Sequence, residues 1–156
     1  MDDRKMSTPS ASHVTIAQLM LPEHANNHGN VHGGWIMKLV DEVGGLACMR
    51  HARHRVVTVA IDQMTFRQPI RIGDLVTLDA EVTYTGNTSM EVEVLVSAEN
   101  PITGKRTHTN KAYLVYVALD DNQNPVKVPP VVITSQEEKI RMEAAIIRQK
   151  HRLGNR

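Results

Sequence analysis

The sequence predicts an α+β protein: an antiparallel sheet of five to six strands wrapped around one long central helix, with a further helix towards the C-terminal end. Three observations carry this reading. Ile36, Val40, Val43 and Ala47 recur at helical spacing and share one face. Residues 76–84 and 90–98 alternate apolar with mostly polar side chains, as half-buried strands do. Ser135 and Glu138 then form a capping-box pattern ahead of a charged run, acidic at its start (Glu137, Glu138) and basic at its end (Arg148, Lys150, Arg152), as the helix dipole favours.

The remaining elements follow in order. Residues 1–12 carry no apolar signal core and read as a flexible polar leader. Residues 13–20 read as a first strand, 22–30 as a loop, and 34–50 as the long helix. Residues 55–64 are rich in β-branched side chains and read as a strand, and Pro69 and Gly73 mark 66–74 as a connection. Gly86-Asn87-Thr88 and residues 100–104 supply turns of an antiparallel meander. Residues 107–119 turn apolar on both faces, which marks a central, covered strand. One domain over 13–133 and a charged helix over 134–156 account for the chain, and the open sheet edges call for a second copy.

At 156 residues, with 41% apolar side chains, the chain is long enough for a real core, which must be mainly Val, Leu, Ile and Met because Phe and Trp occur once each. A formal net charge of +1 gives no global pull towards nucleic acid or membranes. Cys48 is the one cysteine, so no disulfide framework exists, and a buried small hydrophobe is the expected role for it. No apolar run approaches the roughly 20 residues needed to span a bilayer. The expected location is the cytoplasm.

The stretch from Asn26 to Asp41 carries the chemistry. It runs from a polar, glycine-containing loop into the helix, with an amide at its start and a carboxylate two turns into the helix. A helix start can hold a developing negative charge, and a carboxylate can activate water, so the combination suggests a hydrolase. Asp41 lies on neither the core face nor the opposite face, where Lys38, Glu42 and Met49 fall. Its angular neighbours are Met37, Gly44, Gly45 and Cys48. Two interior glycines cost a helix about 1 kcal/mol each relative to alanine, which points to a close approach by a packed element or a ligand. Spacing alone leaves open an ordinary surface charge paired to Arg50 or Arg53. Gly33 and Gly34 are candidates to present N–H groups to a carbonyl oxygen, and Asn26 is either a turn residue or an orienting amide. Glu42 does not share a face with Asp41. His24, His28 and His32 recur every fourth residue, but Pro22 and Gly29 argue against a helix there and no cysteine or carboxylate completes a tetrahedral set, so no metal site is expected.

The run Pro22-Glu23-His24-Ala25-Asn26-Asn27-His28-Gly29-Asn30-Val31-His32-Gly33-Gly34 followed by Asp41-Glu42 resembles the hotdog-fold acyl-CoA thioesterases, in particular the group of bacterial short acyl-CoA thioesterases and brain cytosolic acyl-CoA hydrolases. Val56-Val57-Thr58, Phe66-Arg67-Gln68-Pro69, Gly73-Asp74, Gly86-Asn87-Thr88-Ser89-Met90-Glu91 and Tyr116-Val117-Ala118-Leu119-Asp120 extend the resemblance over residues 13–133. It implies the hotdog fold and hydrolysis of acyl-CoA to a free acid and CoA. It also implies that Asp41 corresponds to the family's catalytic carboxylate and Asn26 to the amide of the opposing loop, with the two supplied by different subunits of a homodimer, as in the family, where dimers often assemble as trimers of dimers. His32 stands where many bacterial relatives have an aromatic residue.

Asp41 can serve such a reaction as general base on water or as a nucleophile forming an anhydride. Substrate-binding candidates are Gly33, His32, Thr58, Arg67 and the turn Gly86, Asn87, Thr88 and Ser89, with Lys105 and Arg106 as further cations for the CoA phosphates. The basic end of the last helix is a candidate for the 3′-phosphate of a neighbour's CoA, or serves dipole compensation and solubility. No cofactor is expected, since CoA belongs to substrate and product. The competing readings are an enoyl-CoA hydratase on the same fold, which would place a catalytic histidine beside a carboxylate, and a non-catalytic acyl-CoA sensor.

Overall fold

The computed structural model describes residues 6–154. Five antiparallel strands form one sheet: β1 (Val14–Leu19), β2 (Arg55–Phe66), β3 (Leu75–Thr85), β4 (Ser89–Glu99) and β5 (Arg106–Leu119), in the order β1-β3-β4-β5-β2. Three helices accompany them: α1 (Pro9–Ser12), α2 (Gly33–Ala52) and α3 (Gln136–Gly154). The sheet therefore takes the lower of the two expected strand counts. The expected meander holds for β3, β4 and β5, but β2 leaves it. It lies on the far edge beside β5, whose apolar faces require a neighbour on each side. The chain returns to β3 through residues 67–74, where Ile70 is buried and accepts a hydrogen bond from Val31 N–H at 2.8 Å.

The leader expected over 1–12 is built structure from Ser7 onwards, and residues 1–5 lie outside the described residues. Thr8 caps α1, and buried Ser12 accepts from Val82 N–H at 2.9 Å, which ties the segment to β3. A cap and a single long-range hydrogen bond of this kind leave little trace in a polar sequence.

The inner face of the sheet and the expected stripe of α2 make the core. Ile36, Val40, Val43 and Ala47 are buried against Val76, Leu78, Val92, Val94 and Leu114. The interior glycines of α2 have a structural cause. A Cβ on Gly44 would sit 2.7 Å from the Tyr116 hydroxyl and 3.1 Å from Val92, whereas one on Gly45 would meet only the Tyr116 ring, at 3.6 Å. Gly44 thus lets the helix approach the sheet closely. α2 stops at Arg53, whose φ of 57° is left-handed and whose N–H closes on Met49 O.

The outer face is charged and lies under α3. Alternation along the strands turns Glu81, Glu91 and Glu93 away from the core, yet Glu91 and Glu93 are buried. Arg148 grips Glu91 through Nε at 3.0 Å and Nη2 at 2.7 Å, and its guanidinium stacks over the Tyr113 ring at 3.6 Å. Arg141 bridges Glu81 at 3.0 Å and Glu93 at 3.2 Å, and Arg152 pairs with Asp62 on β2. Arg141, Arg148 and Arg152 of α3 therefore have carboxylate partners within the chain. The expected capping box starts α3: Glu138 N–H donates to Ser135 Oγ at 3.1 Å, while its carboxylate accepts from Thr134 N–H at 2.7 Å and is held below the usual carboxylate range by those bonds.

Two outcomes follow from this packing. Replacing Arg148 with methionine leaves a buried Glu91 without its counter-ion and lowers stability by about 3 kcal/mol, read as a fall in the urea midpoint, whereas breaking the exposed Lys38–Glu42 pair costs about 0.5 kcal/mol or less. Gly44→Ala overpacks against Tyr116 and Val92 and lowers stability by about 1–3 kcal/mol, while Gly45→Ala is neutral or slightly stabilising, as thermal melts of the two variants would show.

Candidate active site

Asp41 stands at the edge of the core stripe of α2, half-buried, facing β2 and β5. Thr58 and Tyr116 are directly paired across these strands. Thr58 Oγ1 donates to Asp41 Oδ1 at 2.7 Å, and the Tyr116 hydroxyl reaches the same Oδ1 at 2.9 Å and the Asp41 carbonyl at 2.8 Å. Burial, and then the neighbouring Asp41 charge, push the Tyr116 phenol well above its ordinary range, so it remains a proton donor. No ion pair involves Asp41 among the described residues. Arg50 donates instead to the His13 carbonyl, and Arg53 closes the helix.

A groove of about 390 Å³ opens beside the carboxylate, lined by Asp41, Glu42, Gly45, Leu46, Met49, Val56, Thr58 and Tyr116. One wall is apolar helix, and the other is edge strand β2. Val57, Val59 and Ile61 of that strand remain exposed, as do Met37, Leu46 and Met49 of α2. The strand is bulged on either side of the Ala60–Ile61 pairs, and the second bulge turns Asp62 towards Arg152.

The loop before α2 has a different order from the one expected. Asn26 closes an Asx turn: its Oδ1 accepts from His28 N–H at 2.9 Å and from Asn30 N–H at 3.2 Å. His32 caps α2, and its Nδ1 accepts from Gly34 N–H at 2.9 Å. The Gly34 N–H, expected to be free for a carbonyl oxygen, is therefore engaged. Gly33 N–H has no hydrogen bond among the described residues, and a Cβ at Gly33 would lie 3.5 Å from the Phe66 ring. The three histidines have separate roles. His24 is buried, stacks on Trp35 at 4.2 Å and accepts from Leu21 N–H at 2.9 Å, His28 is exposed, and His32 caps the helix.

The CoA-binding candidates do not converge within one chain. The Gly86–Ser89 turn lies at one end of β4, with Arg67, Lys105 and Arg106 at the other, about 33 Å away along a strand of this length. Gly86 N–H is taken by Ser89 O at 2.8 Å, Asn87 O accepts from Val128 N–H at 3.0 Å, and Thr88 O accepts from Ala118 N–H at 3.0 Å. The Arg106 guanidinium donates twice to Ser97 Oγ, at 3.1 and 2.8 Å. Lys105 lines a separate cleft with Arg71 and Asp74. Of the large apolar side chains near the helix start and the sheet, Met90 is core, Met64 packs against the core, Trp35 is held by a bond to Gln18 at 2.9 Å, and Met37 is exposed. Cys48 is fully buried and its thiol is pushed up by burial, which makes it inert. Sequence reasoning missed Tyr116. Its signal was the second of two phenols, after Tyr113, in the apolar half of β5, because a buried tyrosine needs a polar partner.

A family model described as the thioesterase superfamily matches residues 28–105. The chain is 38% identical over 139 residues to the cytosolic acyl coenzyme A thioester hydrolase of Rattus norvegicus; the match takes in 88% of this chain and 36% of that protein, so the chain spans about a third of that relative's length. It superposes on a crystal structure of an apo-hexameric acyl-CoA thioesterase with a TM-score of 0.93 and 36% identity, covering 97% of each chain. It superposes with a TM-score of 0.89 and 32% identity on an acyl-CoA hydrolase from Staphylococcus aureus in complex with butyryl coenzyme A, coenzyme A and coenzyme A disulfide, covering 97% of this chain and 92% of that one. The S. aureus protein is also solved with alanine replacing one aspartate, one asparagine or one threonine. With its hotdog architecture of five antiparallel strands around α2, the chain belongs to the thioesterase superfamily.

Proposed function

We propose that the protein hydrolyses acyl-CoA thioesters to a free carboxylic acid and CoA. The observation that carries this reading is a carboxylate fixed by two hydroxyls at the mouth of an apolar groove, with no cation paired to it among the described residues. Such a carboxylate takes a proton from water as the water oxygen adds to the thioester carbonyl. The C–S bond then breaks and the CoA sulfur leaves as thiolate. Direct attack by Asp41, giving an anhydride that water hydrolyses, uses the same geometry. Support comes from the S. aureus acyl-CoA hydrolase: its three alanine variants replace an asparagine, an aspartate and a threonine whose sequence separations equal those between Asn26, Asp41 and Thr58. The hydratase reading has less support, since among the described residues the partners of Asp41 are the hydroxyls of Thr58 and Tyr116 and no histidine bonds to it.

The groove is half of a site. Among the described residues β2 offers an unpaired edge with exposed Val57, Val59 and Ile61, and Asn26 makes no hydrogen bond to Asp41. A homodimer pairing these edges brings Asn26 of the partner subunit to the carboxylate, where the amide orients water or the thioester and Gly33 N–H meets the oxyanion. Assembly of such dimers into a hexamer, and a cytoplasmic location, accord with the names of the relatives.

Free-thiol release from an acyl-CoA chain-length series tests the activity. Asp41→Ala is expected to lower kcat by about 1,000-fold while circular dichroism shows the fold retained; full turnover by that variant would sink the mechanism. Ile61→Lys leaves Asp41 and its hydroxyl partners in place but puts a charge on the free edge. It is expected to give a monomer in sedimentation and to lose thiol release together with assembly, so an active monomer would contradict the shared site.

A further inference from the structure

We propose that Tyr116 is a positioning residue of this hydrolysis: with Thr58 it occupies Oδ1 of Asp41 and so leaves Oδ2 as the oxygen that meets water or the thioester. The proposal rests on the hydrolase reading above. Both hydroxyls come from one paired position of the β2–β5 ladder and converge on the same carboxylate oxygen, at 2.7 and 2.9 Å. Oδ2 has no hydrogen bond among the described residues, and Asp41 lines the groove. Tyr116 adds a contact that Thr58 does not make, 2.8 Å to the Asp41 carbonyl. It therefore holds the helix backbone and the carboxylate together, and rotating the carboxylate would break two bonds to charged oxygen at once. The close approach is enforced by Gly44, where any Cβ would meet the phenol oxygen at 2.7 Å. A reacting oxygen displaced by an ångström loses rate on the order of 100-fold, so a hydroxyl that fixes the carboxylate has kinetic value beyond its packing.

Tyr116→Phe in the full chain keeps the ring and its packing and removes only the oxygen. The expected result in the free-thiol assay is a kcat lower by roughly 10- to 100-fold with KM within about twofold of the parent, since an interaction that aligns the reacting group acts in the transition state. Gly44→Ala supplies the second arm. In the parent it displaces the phenol and lowers kcat. In the Tyr116→Phe background the 2.7 Å meeting with the phenol oxygen is gone and only the looser approaches of Val92 at 3.1 Å and the ring at 3.3 Å remain, so it costs clearly less activity than in the parent, a non-additivity that independent structural damage would not give. Parental kcat in Tyr116→Phe, or fully additive losses in the double variant, would overturn the positioning role while thiol release by the parent still stood. Absence of thiol release by the parent would overturn the hydrolase reading and this proposal with it.

Discussion

The hydroxyl of Tyr116 is the point at which helix and sheet are locked together. It lies beneath α2, where Gly44 has no side chain, and bonds to a backbone carbonyl and a carboxylate of the same helical residue. The depth at which α2 sits on the sheet, the direction of Asp41 and the width of the groove against β2 all depend on this contact. A larger residue at position 44 would lift the helix, and a shorter one at position 116 would leave the Asp41 carbonyl and Oδ1 with one donor fewer.

The sheet separates two kinds of stabilisation. Its inner face is aliphatic and gains from removal of apolar surface from water, without directional demands. Its outer face buries carboxylates, which is tolerable only because α3 delivers guanidinium groups in register with them. Directional pairing on one side and aliphatic packing on the other fix the sheet from both faces. The edge at β2, by contrast, remains apolar and unpaired.

Much of this was legible in the sequence, and what was not has physical causes. The core stripe of α2 and the odd angular position of Asp41 follow from helical periodicity alone, and the glycine pair correctly signalled a close approach. The identity of the approaching residue could not be read locally. Thr58 and Tyr116 meet Asp41 through the β2–β5 register, which is set by tertiary pairing and interrupted by two bulges. The place of β2 in the sheet was lost for a related reason: a chain written in order suggests strands laid in order, whereas residues 67–74 carry it across to the other edge. Gly34 misled because a histidine N-cap is an unusual acceptor. The scatter of the CoA-binding candidates was legible, since an eleven-residue strand separates the Gly86 turn from Lys105. Asn26 shows the limit of a single chain, because within it the amide explains only its own turn.

The arginines of α3 also bear on how the chain is made. Glu91 precedes Arg148 by 57 residues, an interval of several seconds at ordinary rates of synthesis. During that interval β3, β4 and β5 can pair and Lys111 of β5 can meet Glu93, but Glu81 and Glu91 on the outer face still lack their guanidinium partners, so this face stays hydrated. Closure of the outer layer is thus deferred until α3 has left the ribosome, and a nascent chain halted before Arg148 presents an acidic, solvated sheet surface that opposes premature stacking of one unfinished sheet upon another.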